Sequence, residues 1–369
     1  MKRISLIVFL SLVLCTSMKA QILRDSATVR LLYRGIDYIY DFQFSHANEV
    51  YHKLKATYPE HPVTYIYRGL ITYWENYPLT ANSPLRKSFE NDMRHAMELC
   101  EKKTRSYDTG EYLLCTLGAR GLLLLFYADN DLNMDVISLA SGTYSYLRKS
   151  FDYTEQFSDF YFFTGLYNYY REAYPDAHPV YKPLARLFPK GDLNKGLKEL
   201  DIASKEAMVL KGEAYSFLNL IYINYENNSA KANSYARALH ELYPDNVQYL
   251  ADYIKNLLLV KQYDEAEAIL NEYQPKVTNG FGLAQLEIYK GIIYEKKYHN
   301  LAQADSLYKA GIRDIDPYGA VGNEVTSFAY FGLSRICDAN DGSDGKHYKK
   351  LYRKQALELS SYKKINFDD

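Results

Sequence analysis

The chain has 369 residues, 47% of them hydrophobic and 24% charged, with a formal net charge of −1. That composition is ordinary for a folded chain with a sizeable core, and the near-balanced charge excludes nucleic acid as a partner, which needs a concentrated positive surface. Tyrosine is abundant at 39 and proline scarce at 11. No proline falls from residue 85 to residue 174, which permits long helices there, because proline removes a helical hydrogen bond and clashes with the preceding turn.

In chain order, Lys2 and Arg3 precede an uninterrupted apolar and serine run over 4–15, and 16–20 closes on the small Ala20 before Gln21. This layout predicts a secretory signal peptide over 1–20, since the run is too short to span a bilayer as an ordinary helix. Met18 is large for its place near the cleavage point. A lipid anchor at Cys15 is the alternative, against which stands Leu14 where a small residue is normal; a retained anchor is a third reading. Cleavage removes Lys2, Arg3 and Lys19 and no acid, leaving 41 basic against 45 acidic residues and a net charge of −4. The remainder, 21–369, is expected to form a single domain, exported to the periplasm or associated with the outer membrane, its membrane association otherwise open.

The first repeating unit is Gly35-x2-Tyr38 followed by Phe44-x2-Ala47-x3-Tyr51-x2-Leu54-x4-Pro59. Gly35 and Ala47 are small where two helices cross, Tyr38, Tyr51 and Leu54 fill the space around the crossing, and Pro59 stops the second helix. Gly69 stands 34 residues after Gly35 and four after Tyr65. A helix then starts at Ser83-Pro84 with Phe89, Met93, Ala96, Met97 and Cys100 on one face. A long pair follows over roughly 107–129 and 132–151, with Ala140-x3-Tyr144-x2-Leu147 in the second member. Gly165 follows Tyr161 by four. Pro175, Pro179, Pro183 and Pro189 mark a loop inserted within one pair near 175–190. The pattern resumes at Ala232-x3-Ala236-x2-Leu239-x4-Pro244 and Tyr263-x2-Ala266-x3-Leu270-x2-Tyr273, Ala232 and Ala266 being again 34 apart. Gly291-x2-Tyr294, Ala304-x3-Tyr308-x2-Gly311 and Phe328-x3-Gly332 complete it. The expectation is an all-α chain, an α-solenoid of about eight antiparallel helix pairs, with no strand.

A 34-residue period carrying these small and aromatic positions resembles the tetratricopeptide (TPR) repeat. The segments Tyr161-Phe-Phe-Thr-Gly165, Phe188-Pro-Lys-Gly-Asp192, Gly196-Leu-Lys-Glu-Leu200 and Tyr243-Pro-Asp-Asn246 are similar to exported TPR-like proteins of Gram-negative envelopes and, more distantly, to the eukaryotic TPR-39-like family. The resemblance implies helical repeats, no defined chemistry and no cofactor. It implies a non-enzymatic scaffold that binds a protein or peptide in a concave groove of first-of-pair helices, within a cell-envelope assembly. The alternative is a glycan- or nutrient-binding envelope protein using exposed aromatic residues.

Motifs that could carry chemistry are weak. His240-Glu241 lacks the second histidine of a zinc-peptidase motif, Pro244 standing in its place. His46, Glu49 and His52, and Asp92, His95 and Glu98, spread over too wide a helix face to share a metal, so no metal site is expected. Gly332-Leu-Ser334 lacks the second glycine of a nucleophile elbow. Asp192 is expected to cap a helix rather than to belong to a phosphate loop. Cys100, Cys115 and Cys337 cannot form a disulfide framework; Cys100 and Cys115 either bridge or pack as buried thiols. The basic C-terminal helix, with Lys346, His347, Lys349, Lys350, Arg353 and Lys354, reads as the polar cap of the last repeat, with an anionic membrane surface or partner as the alternative. Most tyrosines read as core, but the dense set Tyr161, Phe162, Phe163, Tyr167, Tyr169, Tyr170, Tyr174 cannot all face one core. Trp74, Tyr169 and Tyr170 are the expected ligand- or partner-contact residues.

Overall fold

A computed structural model describes residues 22, 25–104, 110–177, 179, 182–338, 343–360, 365 and 367–368. The expected signal peptide over 1–20, with Cys15, lies outside them. Every regular element among the described residues is helical. The helices run as consecutive pairs: α1 (Ser26–Tyr40) and α2 (Phe44–Thr57), α3 (Pro62–Glu75) and α4 (Arg86–Thr104), α5 (Gly110–Asp129) and α6 (Asn133–Ser150), α7 (Phe160–Ala177) and α8 (Leu193–Glu206). Then follow α9 (Lys211–Asn224) and α10 (Ser229–Leu242), α11 (Val247–Leu259) and α12 (Tyr263–Tyr273), α13 (Gly280–Lys296) and α14 (Leu301–Ile315), α15 (Asn323–Asp338) and α16 (Ser343–Leu359). The described residues form an α-solenoid of eight such pairs.

Short polar side chains start many of these helices by accepting backbone N–H groups that have no partner within the helix. Asn228, Asn246, Asn279 and Asn300 do so at the starts of α10, α11, α13 and α14, and Asp192 caps α8 as its sequence position predicts. Asp159 is the most heavily used cap. Its carboxylate accepts from the backbone N–H groups of Met208, Val209 and Leu210 at 3.0, 2.8 and 2.9 Å, fixing the approach to α9.

Packing follows the repeat. Ala47, Ala232, Ala266 and Ala304 are all fully buried, as the crossing positions require, and Leu54 and Tyr51 are buried beside them. Gly35 is hemmed in by Val50 of its own pair and by Tyr67 of the next. Gly69 meets Met93 of its partner helix, and Gly291 meets Tyr308. Gly332 departs from the expected role: the side chain filling its space is Tyr308 of the preceding pair, so it lets successive pairs approach. Tyr38 and Tyr294 are only half-buried, Tyr38 lying against His46, and Pro59 sits in the exposed turn after α2. First-of-pair helices take most of the burial. Among the residues of α6 only Ser150 is buried, whereas α5 is apolar nearly all round. By length and composition α5 could cross a membrane; here its apolar surface packs against α3, α4 and α6, as expected of an interior helix.

The proline-rich insertion joins α7 to α8 and holds one helical turn, Lys182–Ala185. It is tied back by Tyr167, whose hydroxyl donates to Pro189 O at 2.7 Å, and by the Gly191 N–H, which donates to Glu172 at 2.8 Å. The helix before it extends further than its prolines predict, since Pro175 lies inside α7. So near the C-terminal end the missing N–H removes one bond, and the helix tolerates it. Under the insertion α7 and α8 nearly touch at Gly165 and Gly196. A Cβ on Gly196 would lie 2.7 Å from the Tyr169 backbone N, so only glycine fits.

The solenoid coils tightly enough that one superhelical turn rests on the next. Asn246 Nδ2 donates to Tyr40 O at 2.8 Å, and Asn279 Nδ2 to Tyr77 O at 2.7 Å. Asn323 Nδ2 reaches Asp131 at 3.4 Å. Each bond runs from the start of a first-of-pair helix to the segment ending such a helix five pairs earlier: α11 to α1, α13 to α3, α15 to α5. Tyr243 and the Asp245 N–H reinforce the first junction through Asp37 and Asp41.

Candidate functional site

Closure of the superhelix leaves a cavity of about 490 Å³ on its axis. Its wall is built from first-of-pair helices: Tyr73 and Trp74 of α3, Asp129 of α5, Glu213 and Phe217 of α9, Tyr249, Asp252 and Lys255 of α11, Phe281 and Gln285 of α13, Glu324 of α15. Tyr77 and Asp131 come from the loops after α3 and α5, and Glu358 from the end of α16. The volume falls in the range of small-ligand sites, and the mixture of aromatic walls with a few convergent polar groups is typical of them.

The charge is one-sided. Six carboxylates line the cavity (Asp129, Asp131, Glu213, Asp252, Glu324, Glu358) against one lysine, Lys255. Lys255 is buried and donates to Asp252 at 2.9 Å. Burial works to lower its pKa, but the charges of Asp252 and Glu324 outweigh it and hold the ammonium above its ordinary range. Asp129 has no such partner: its carboxylate accepts only the Tyr73 hydroxyl, at 2.6 Å. Burial pushes its pKa up to about 6, against the lowering effect of that bond. Glu213 is likewise raised by burial, opposed by the Tyr40 hydroxyl that donates to it at 3.0 Å and reinforced by the nearby Asp129.

The same wall has unmet hydrogen bonds. The indole Nε1 of Trp74, the hydroxyl of Tyr249 and the Oε1 of Gln285 are buried and have no partner. Orphaned buried polar atoms are uncommon in folded chains and call for a cause. A second cavity, about 90 Å³, lies between α1, α3 and α5 behind Ile22. It is almost wholly apolar apart from His61 and Glu111, which pair at 2.9 Å, and it is too small for more than a few atoms.

Of the expected contact residues, Trp74 does stand in the cavity wall, with 6% of its surface exposed. One face is covered by Tyr77, stacked at 5.2 Å, and Tyr40, Tyr73 and Tyr249 meet its ring edge-on. Tyr169 is a correction: it is buried in the α7–α8 crossing, and its hydroxyl donates to Glu226. Tyr170 is half-buried against Tyr225 and Phe217 and does not line the cavity either. Within the dense aromatic set Phe162, Phe163 and Tyr169 are buried, Tyr167 lies against Tyr144 of α6 and Tyr174 is exposed, so the set does not face one core.

The other motifs find structural roles. Asp92 is held by Arg68, and His95 lies against the Tyr65 ring at 4.4 Å. His240 is buried on Tyr253, with its pKa lowered by burial. Ser334 donates to Lys349 O within the last pair. Cys100 and Cys115 are buried together as thiols and do not form a bridge, and Cys337 is a half-buried thiol. No three His, Cys, Asp or Glu side chains among the described residues come together as a metal-holding group.

Sequence reading missed Asp129, Glu213, Asp252, Lys255 and Glu324. Each has an ordinary local explanation: Asp129 ends an apolar helix, Glu213 and Glu324 stand in first turns where acids suit the helix dipole, and Asp252 and Lys255 form an i, i+3 pair. The available signal was charge placed inside the apolar first-of-pair helices, above all Asp252 and Lys255 within 247–259. Compared with known proteins, the chain matches no family model and shows no significant similarity to any curated protein.

Proposed function

We propose that this chain is a non-enzymatic, exported binding protein built of TPR-like repeats, holding a peptide segment of a partner in its axial cavity within the cell envelope. The observation that carries the reading is the cavity itself: about 490 Å³, walled by first-of-pair helices with aromatic and acidic side chains in the wall. First-of-pair helices line the concave side of such repeats, the side through which they bind. A space of this size suits a short extended segment, not a folded domain, so recognition here is of a peptide or chain end. Glycan binding is less well supported, because the ring face a sugar would stack on is already covered at Trp74 by Tyr77.

The test is site-specific photo-cross-linking in cells. A photoreactive residue at Ser216, in the cavity wall, is compared with one at Ser138 on the exposed side of α6. The reading expects one or two stoichiometric partners from Ser216 only, cross-linked through a short segment. Equal labelling at Ser138, or none at Ser216, contradicts it.

A further inference from the structure

The three most exposed large hydrophobic side chains among the described residues lie on one part of the outer surface, away from the axial cavity: Met134 at 80%, Leu187 at 76% and Ile137 at 63%. Met134, Ile137, Ser141, Tyr144 and Arg148 follow at steps of three and four along α6 and so share its outward face. The insertion crosses that face where Phe188 meets the Tyr144 ring at 4.7 Å, which sets Leu187 beside it. Ile137 is about 10 Å along the helix from Tyr144. Exposed apolar residues scattered singly need no explanation, but here the extremes of the whole molecule gather in one place.

The surrounding charge is positive. Arg148 and Lys149 at the end of α6, and Arg186 and Lys190 flanking Leu187, are exposed and have no acidic partner among the described residues. Most nearby acids are engaged: Asp176 pairs with Lys182 at 3.0 Å, Glu172 receives Arg171 and the Gly191 N–H, and Asp192 caps α8. Asp135 stands about 160° round α6 from Ile137, and Asp152 and Glu155 lie past the end of that helix. Protein interfaces are poor in lysine and gather their apolar side chains at a packed centre. Here single apolar side chains project between long cations, whose stems follow apolar surface while their heads reach outward. An anionic bilayer matches both properties: the apolar tips enter the headgroup boundary, and the cations meet lipid phosphates. We propose that the outer face of α6 and the proline-rich insertion together dock this protein on an anionic membrane surface. This inference concerns a face other than the cavity and does not rest on the peptide-binding reading.

The test is co-sedimentation of the full-length mature protein with vesicles of phosphatidylcholine, alone or with one-quarter phosphatidylglycerol. Binding to the anionic vesicles is expected to be about tenfold or more tighter than to the neutral ones, and to weaken as salt is raised. Met134→Ser/Ile137→Ser/Leu187→Ser should lose most of that binding, and Arg186→Gln/Lys190→Gln should weaken it by about tenfold or more. All five side chains are exposed, so both variants should unfold at the wild-type temperature. No sedimentation with anionic vesicles, or equal binding to both kinds, overturns the proposal. So does full binding by the triple variant, which would place the contact elsewhere, the basic face of α16 included. A protein captured by cross-linking at Ser138 in place of lipid would assign this face to a protein partner and likewise overturn it. The vesicle result is independent of cross-linking at Ser216, on which the cavity reading stands or falls.

Discussion

Two groups of acids in this molecule, one buried and one half-buried beside the cavity, are treated in opposite ways. At the α13–α15 contact, Glu295 accepts Arg335 through Nε and Nη2 at 2.6 and 2.9 Å and the Tyr308 hydroxyl at 2.6 Å. Both oxygens are satisfied, and the charge is matched. Along the axis, Asp129 and Glu213 receive one tyrosine hydroxyl each and no cation. The first arrangement is what a core requires of a buried charge: a partner with good geometry on every side. The second is a standing penalty in the absence of a ligand, and it occurs where the fold leaves space. Unpaired charge beside a cavity separates a binding wall from a packing interface.

The comparison is sharpest where a partner is removed. Glu295→Ala removes the carboxylate that receives Arg335 through two nitrogens, leaving Arg335 its contact to Asp368 at 3.0 Å, and is expected to lower stability by about 3 kcal/mol in urea unfolding. Lys255→Met tests which group Lys255 belongs to. If its bond to Asp252 is structural, the variant loses about 2 kcal/mol, less than at Glu295 because Asp252 faces the cavity and is only half-buried. Unchanged stability would move Lys255 to the ligand-facing set.

Protonation sharpens it further. Asp129 titrates at about 6 in the folded chain against 3.8 for the free side chain, so between those values the native state binds the extra proton. Stability from this group is therefore present at low pH and lost as pH rises through about 6. The groups facing it do not reverse the sign: Tyr73 keeps its proton and donates, and Glu213 is itself raised by burial. Asp129→Asn is expected to raise stability at pH 7 by about 1–3 kcal/mol. It should also flatten the loss of stability between about pH 4 and 6, read from thermal unfolding across that range.

How much of this was legible in the sequence depends on distance along the chain. Gly35, Ala47, Ala232, Ala266 and Ala304 announce helix crossings because a crossing is local: both helices lie within one repeat. Their spacing was enough for the fold class and the pair count, and the insertion at the proline cluster followed from the same logic. The cavity depends on contacts some 200 residues apart, such as Asn246 to Tyr40 and Asn279 to Tyr77. Those asparagines read locally as helix caps, which they are, and their second bond is set by superhelical pitch, which no single repeat encodes. Trp74, singled out because it is unique and ends a first-of-pair helix, stands in the cavity wall. Tyr169 misled because a crowded aromatic run was read as surplus to the core, whereas Gly165 and Gly196 bring α7 and α8 close enough to enclose it.

The central claim is that Asp129 and Glu213 are kept for a ligand and not for the fold. The most direct measurement is the unfolding free energy of Asp129→Asn/Glu213→Gln beside wild type, at pH 7, with nothing bound. Removing two unmatched, half-buried charges while keeping their shapes should make the variant more stable, as expected where a site is held at the expense of stability. A variant less stable than wild type would show that the two carboxylates hold the superhelix together, and would contradict the account.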